Sequence, residues 1–305
     1  MTVPTREDIM AAAARISGHI RRTPVIEADA GLAEHLVFKL DTLQPTGTFK
    51  IRGAYNRLLS EEALPDKVVA ASGGNFARAI AHAARSLGVE AHLFVPDTSP
   101  KEKIEPLRDY GAMVHLVPGM YPEALAASVE YAEREGGLFA HAYDQPEMVA
   151  GAGTLGMELD TQVPGADTVL VAVGGGGLIA GVASWFRGAV KVVGVETDGT
   201  GSLHAAFEAG GPVDVELSGI AISSLGSRRV GEIPWEAARQ WVSGSMLVSD
   251  DDIVRAQQHL WDHLRVVVEA GSAAPMAALL SGAYRPEPGE RVVVVLCGAN
   301  AHWAP

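Results

Sequence analysis

A chain of 305 residues, 48% of them hydrophobic, is long enough for two domains and too apolar for disorder. A formal net charge of −13 disfavours binding to nucleic acid or an anionic membrane, which need a basic face, but leaves open an anionic small molecule held by backbone N–H groups. The lone cysteine, Cys297, excludes an intrachain disulfide, and the first ten residues lack an apolar signal-type run, so a reducing, cytoplasmic setting is expected.

Thr5-x-x-Asp8 is a capping-box pattern and predicts a helix to about Arg21. A second helix is predicted from Lys50 to Leu59. Apolar, often β-branched runs then alternate with helical ones. Strands are predicted at Lys67–Ser72, Ala91–Pro96, Met113–Val117, Leu138–Tyr143, Thr168–Val173 and Lys191–Glu196. The helices between and beside them are Asn75–Leu87, Pro100–Tyr110, Pro122–Glu135, Ala150–Leu159 and Leu178–Arg187. Gly199–Pro234 reads as irregular. Ser249 caps a helix to about Leu264, and Asp250, Asp251 and Asp252 are explained by the helix dipole better than by a metal. A helix at Ala273–Leu280 and a buried strand at Arg291–Leu296 follow. This alternation predicts an α/β fold of open, twisted, mostly parallel sheets flanked by helices. Val169–Phe186 carries no charge, but four glycines break it, so strand, turn and helix fit better than a membrane span.

Several stretches suggest chemistry. Val169–Val173 runs into Gly174-Gly175-Gly176-Gly177-Leu178, a strand turning through glycines into a helix, which suits a phosphate cradle. The same segment supports a rival, because Gly175-x-Gly177-x-x-Ala180 followed by Glu196 fits a dinucleotide fingerprint. Gly151-x-Gly153-x-x-Gly156 is a weaker second match. Ser72-Gly73-Gly74-Asn75-Phe76 lies at another strand-to-helix junction. It is either an anion-binding loop or a turn with Asn75 as N-cap. Cys297 ends the last strand and is either core or ligand contact. Lys50 stands between Phe49 and Ile51, an apolar setting for an amine. The histidines show no pair at ligand spacing such as H-E-x-x-H, and no G-x-S-x-G elbow occurs.

In order and spacing, "RTPVIEA" at Arg22–Ala28, "KLDTLQPTGTFKIRGAYN" at Lys39–Asn56, "SGGN", "DQPEMVAGAGT" at Asp144–Thr154, "VGGGGLIAG", "VEAGSAA" at Val268–Ala274 and "LCGAN" resemble the fold-type II pyridoxal-phosphate enzymes. The likeness is to the serine/threonine dehydratase and serine racemase group, with its tryptophan synthase β-like architecture. It implies a large domain of residues 1–66 and 144–305, a small mobile domain of residues 67–143, and a homodimer. It implies that Lys50 forms the Schiff base with pyridoxal phosphate, Phe49 borders the ring, and Asn75 bonds the ring hydroxyl. Gly174, Gly175, Gly176, Gly177 and Leu178 would hold the phosphate, Cys297 would face the pyridine nitrogen, and Gly226 would lie beside the cofactor. Ser72, Gly73, Gly74 and Asn75 would bind the substrate carboxylate. Lys50 would remove the Cα proton, and the cofactor phosphate would assist the leaving hydroxyl.

The implied reaction is dehydration and deamination of a β-hydroxy amino acid such as L-threonine or L-serine to a 2-oxo acid and ammonia. Hydroxyaspartate ammonia-lyase or racemase-like activity is the alternative within the family. A nicotinamide oxidoreductase and a non-catalytic amino-acid binder are the rivals outside it. The chain departs from the family at several positions. Gly73 replaces the serine that racemases use on the second face of Cα. Phe76 stands for a histidine and Ala152 for a glutamine. Glu196 matches one acid of a Mg2+ site whose second acid aligns with Ser202, so Mg2+ is doubtful. Arg228 and Arg229 are either readers of a second carboxylate or a solvated pair. Control through a C-terminal regulatory domain is not expected.

Overall fold

The structure, a computed structural model, describes residues 2–28 and 36–301. In chain order it runs α1 (Arg6–Ile16), β1 (Val25–Glu27), β2 (Leu36–Leu40), α2 (Lys50–Leu59), β3 (Lys67–Ala71), α3 (Asn75–Leu87), β4 (Glu90–Pro96), α4 (Lys101–Asp109), β5 (Met113–Val117), α5 (Tyr121–Glu135) and β6 (Leu138–Ala140). It continues with α6 (Pro146–Gln162), β7 (Thr168–Ala172), α7 (Gly177–Phe186), β8 (Lys191–Thr197), α8 (Ser202–Ala209), α9 (Ile222–Leu225), α10 (Glu232–Trp241), β9 (Val242–Val248), α11 (Asp250–Leu264), α12 (Ala270–Ser281) and β10 (Val292–Leu296).

Two sheets result. One has six strands in the order β1-β2-β10-β7-β8-β9, parallel except for β1 at its edge. The other has four parallel strands in the order β5-β4-β3-β6. Every residue of β7 and β10 is buried, as the continuous apolar runs Thr-Val-Leu-Val-Ala and Val-Val-Val-Val-Leu require in a sheet covered on both faces. The larger core lies about the six-stranded sheet, and a second core joins α2 and α3 to the four-stranded sheet.

Some boundaries differ from expectation. α1 keeps its Thr5/Asp8 capping box but stops at Ile16, and Gly18 then turns with φ +85°. Gly199–Pro234 is not irregular throughout, because it holds α8, α9 and the start of α10. α10 takes its N-terminal anchor from far away: the Asp144 carboxylate accepts from the N–H groups of Glu232 (3.1 Å) and Ile233 (2.9 Å). Against the sequence expectation, His259 and His263 do form a pair one turn apart on α11, their rings stacked at 3.9 Å. The three aspartates at Ser249 behave as a capped helix start, with the Ser249/Asp252 capping box formed. Among the described residues no helix is long and apolar enough to cross a membrane.

The second dinucleotide match is overturned. Gly151, Gly153 and Gly156 lie inside α6, where they let neighbouring elements touch. A β-carbon on Gly151 would sit 2.6 Å from the Arg52 carbonyl oxygen of α2, and one on Gly153 would sit 3.0 Å from the Gly181 carbonyl oxygen of α7. Helix α2 is locked in place by charge. Arg52, fully buried, donates to Asp41 at 2.7 and 2.8 Å and to Glu158 at 2.7 and 3.0 Å. Lys39, also fully buried, donates to the same Glu158 at 2.5 Å, to the Thr23 carbonyl and to Gln162. Removing Arg52 strands Asp41 in a dry interior. Arg52→Ala is therefore expected to lower stability by about 3–5 kcal/mol, measured by urea unfolding of the apoprotein.

Candidate active site

Lys50 is the first residue of α2, and a bridge between Thr48 and Gly298 with the Phe49 N–H···O=C Cys297 bond (2.9 Å) ties its approach to the carboxyl end of β10. Ligands collect at such strand ends in α/β sheets. The Lys50 amine donates to the Ala142 carbonyl at 3.0 Å and lies 4.9 Å from the centre of the Phe49 ring. Burial pushes this amine down to about 8, against the pull of Cys297 and Glu269. A group of that kind exists in part as free amine near neutrality and is a competent nucleophile and base.

Beside it sits a carboxylate absent from the sequence-derived site. Glu269 is buried, and burial pushes it up to about 7. It accepts from Asn75 Nδ2 at 2.8 and 2.9 Å, while Asn75 Oδ1 accepts from Asn300 Nδ2 at 2.8 Å. Asn75 is therefore not the N-cap. Gly74 holds that position, and the Asn75 amide points at Glu269. A ligand oxygen arriving at Asn75 must share that amide with Glu269. Gly298 has room for no side chain, since its β-carbon would run into the Glu269 carboxylate. The Cys297 thiol is buried and pushed up to about 12, and the N–H groups of Cys297 and Gly298 both donate to Ser272 Oγ. Glu269 has one signal in the sequence: it is the only charge in the apolar run Val266–Ala274.

The other predicted loops lie at strand ends as well. Ser72 follows β3, with its N–H on the Phe94 carbonyl and its hydroxyl accepting from Gly74 N–H at 3.2 Å. Among the described residues, the N–H groups of Gly73 and Asn75 have no acceptor. The same holds for the N–H groups from Gly174 to Leu178, at the start of α7. Each glycine of this run is pressed by something. Gly174 faces the Leu225 backbone next to Gly226, Gly176 has φ +89° and faces Pro234, and Gly175 and Gly177 are covered by Tyr143. Close approach thus accounts for the four glycines, while their N–H groups have no acceptor among the described residues.

Three candidates fall elsewhere. Glu196 cannot serve as a ribose-binding acid, because its carboxylate accepts from Leu203 N–H (2.8 Å), His204 N–H (2.8 Å) and Ser245 Oγ (2.5 Å). Ser202 Oγ donates to the Gly174 carbonyl at 3.0 Å. Arg229 pairs with Asp214 (3.4 Å) and Glu232 (3.7 Å), and Arg228 is exposed, so the solvated-pair reading holds.

The coupling between Lys50 and Glu269 has a sign. The Glu269 charge favours the ammonium, so Glu269→Gln should lower the Lys50 pKa further. Reductive labelling of the apoprotein with a small aldehyde, followed by peptide mass spectrometry across pH, is expected to show Lys50 reacting with a midpoint near 8 in the unaltered protein. In the variant the midpoint should move to lower pH.

The chain is 37% identical over 294 residues to an L-threonine ammonia-lyase of Geobacter sulfurreducens, covering 94% of this chain and 73% of that one. It is 33% identical to a beta-hydroxyaspartate dehydratase of Paracoccus denitrificans, covering 98% and 97%. A solved structure of maize serine racemase superposes with TM-score 0.93 at 29% identity, covering 98% and 94%. The family model described as "Pyridoxal-phosphate dependent enzyme" matches residues 16–298. With a family model matched over residues 16–298 and a desolvated amine tied to a strand end, this chain belongs to the pyridoxal-phosphate dependent enzyme family.

Proposed function

We propose that the chain is an ammonia-lyase that removes water from a β-hydroxy amino acid such as L-threonine or L-serine and releases a 2-oxo acid and ammonia. The observation that carries this reading is the Lys50 amine: half-buried, pushed down to about 8 by desolvation, and held at 3.0 Å from the Ala142 carbonyl. The similarity to threonine ammonia-lyases supports it. The residues fit the cofactor. Lys50 would hold its aldehyde carbon, Phe49 and Cys297 would line the ring, and the N–H groups of Gly174 to Leu178 with the Gly226 turn would hold its phosphate. When bound, pyridoxal phosphate supplies the electron sink that makes a Cα proton removable.

The chain's own residues do the rest. The N–H groups of Gly73 and Asn75, with Ser72, hold the substrate carboxylate. Lys50 Nζ takes the Cα proton, steadied by the Ala142 carbonyl. Cys297, protonated up to about pH 12, gives the pyridine side a neutral neighbour. A lyase is favoured over a racemase because Gly73 carries no hydroxyl for the second face of Cα. A β-carbon there would already sit 3.1 Å from Val95 Cγ1. We read the relatives' Mg2+ site as closed here: Glu196 is saturated by N–H and O–H donors, and Ser202 supplies no second carboxylate. We also assign residues 67–143, which hold the four-stranded sheet, as the smaller domain of a cytoplasmic homodimer, in keeping with the lone buried cysteine.

A second substrate reading is 3-hydroxyaspartate. Arg78 lies one turn beyond Asn75 on α3, half-buried, and its charge pulls on Glu269. Among the described residues its guanidinium has no hydrogen bond or ion pair, which leaves it free for a second carboxylate.

Borohydride trapping with pyridoxal phosphate, followed by mass spectrometry, is expected to mark Lys50. An ammonia-release screen should then find a β-hydroxy amino acid that is turned over, and Lys50→Ala should cut that turnover by about 10²–10⁴-fold. A mark on another lysine, or full turnover in Lys50→Ala, refutes the assignment. If hydroxyaspartate is the substrate, Arg78→Gln should lower its kcat/KM about tenfold or more while sparing threonine.

A further inference from the structure

Tyr143 has no role in the reading above, yet it adjoins two parts of the site that the reading uses, the carbonyl on the Lys50 amine and the glycine turn. It follows Ala142, whose carbonyl accepts from the Lys50 amine at 3.0 Å. Its ring packs on the tetraglycine turn so closely that a β-carbon on Gly175 would collide with it, and one on Gly177 would lie 2.9 Å from its Cβ. Its hydroxyl is 2.9 Å from Ser227 Oγ, just past Gly226. The Ser227 hydroxyl itself donates to the Arg229 carbonyl at 2.7 Å. Either hydroxyl can be the donor in the Tyr143–Ser227 pair, and the phenol also reaches the Arg229 carbonyl at 3.4 Å. Tyr143 thus packs on the loop proposed to hold the phosphate, one residue after the carbonyl that holds the amine, with an O–H at its far end.

The two flanks of the amine differ in kind. One flank carries Ser72, Asn75, Glu269 and Asn300, with the free N–H groups of Gly73 and Asn75 suited to a carboxylate. The other flank carries Tyr143 and Ser227. An amino acid tethered through its nitrogen, with its carboxylate on the first flank, turns its side chain toward the second. The other ionisable groups around Tyr143 are poorly suited to protonate that side chain. Asp144 is engaged with the N–H groups of Glu232 and Ile233. His141 Nδ1 accepts from the N–H groups of Tyr143 and Asp144, and burial lowers its pKa. Burial raises the pKa of Tyr143 itself, and that of the neighbouring Tyr121, so both phenols keep their protons.

We propose that Tyr143 is the group that protonates the departing β-hydroxyl, in the role the resemblance gives to the cofactor phosphate. The proposal rests on the lyase reading above. As Lys50 Nζ takes the Cα proton, the electron pair left behind becomes the second Cα–Cβ bond and the Cβ–O bond breaks. The oxygen leaves with its bonding pair, takes the phenol proton and departs as water. Tyr143 regains a proton from bulk water past the exposed Gly226 and Arg228, and Lys50 returns the Cα proton to bulk water. No oxidant or other reactant is needed.

The test compares leaving groups. Hydroxide needs a proton to leave, whereas chloride does not. Tyr143→Phe keeps the ring on the glycine turn and removes only the O–H. With β-chloroalanine and serine as paired substrates, the chloroalanine-to-serine turnover ratio is expected to rise about 10²-fold in the variant. Apoprotein melting temperature and affinity for pyridoxal phosphate, read by absorbance, should be unchanged. Equal loss on both substrates, or no loss on either, overturns the proposal. If Tyr143→Phe does not fold, Ser227→Ala decides in its place: a smaller rise in the ratio supports the proposal, and an unchanged ratio overturns it. An unaltered protein that takes up no pyridoxal phosphate and eliminates neither group would instead sink the lyase reading.

Discussion

The structure depends on desolvating one amine. Lys50 opens α2, so the positive end of the helix dipole works with burial against its charged form. Among the described residues Glu269 and Cys297 pull the other way without bonding it, and its acceptor is a neutral carbonyl. Such an arrangement persists only if the backbone on both sides is fixed. The Thr48–Gly298 bridge fixes the approach, and the Arg52–Asp41–Glu158 cluster fixes the helix two residues later. The buried charges of this cluster are therefore best understood as the mount of the amine. Paired charges in an interior add little net stability, but they specify one position well.

Small residues set the spacing around that mount. Glycines in α6 bring α2 and α7 within backbone contact, which places the amine of α2 near the turn that begins α7. Within that turn, glycine serves a second purpose. It lets the Tyr143 ring lie flat on the backbone, so the space left for a ligand is shaped by an aromatic wall.

The parts legible in the sequence were those whose cause is local. Val292–Leu296 and Thr168–Ala172 announce buried strands by unbroken apolar runs, and Ser249 with Asp252 announces a helix start. β2 was missed because Lys39 interrupts its apolar run; only the fold shows that Glu158 and Gln162, more than a hundred residues away, satisfy that charge. α10 was missed because Pro234 suggests a loop and its cap, Asp144, is equally remote. β1 is too short to carry a pattern, and Ser243 and Gly244 dilute β9. In the site, Lys50 stood out by its apolar neighbours. Glu269 and Tyr143 did not, because their meaning comes from Asn75 and from the glycine turn, which meet them only after folding.

The same dry pocket also governs which nucleophile an incoming aldehyde meets. In water a thiol gives up its proton before an ammonium does, and thiolates attack carbonyl carbon readily. Desolvation penalises whichever form is charged, so it moves sulfur and nitrogen in opposite directions, to about 12 for Cys297 and about 8 for Lys50. The usual order is inverted. Cys297 keeps its proton where the Lys50 amine gives its own up, and a preference for nitrogen over sulfur would follow from desolvation alone.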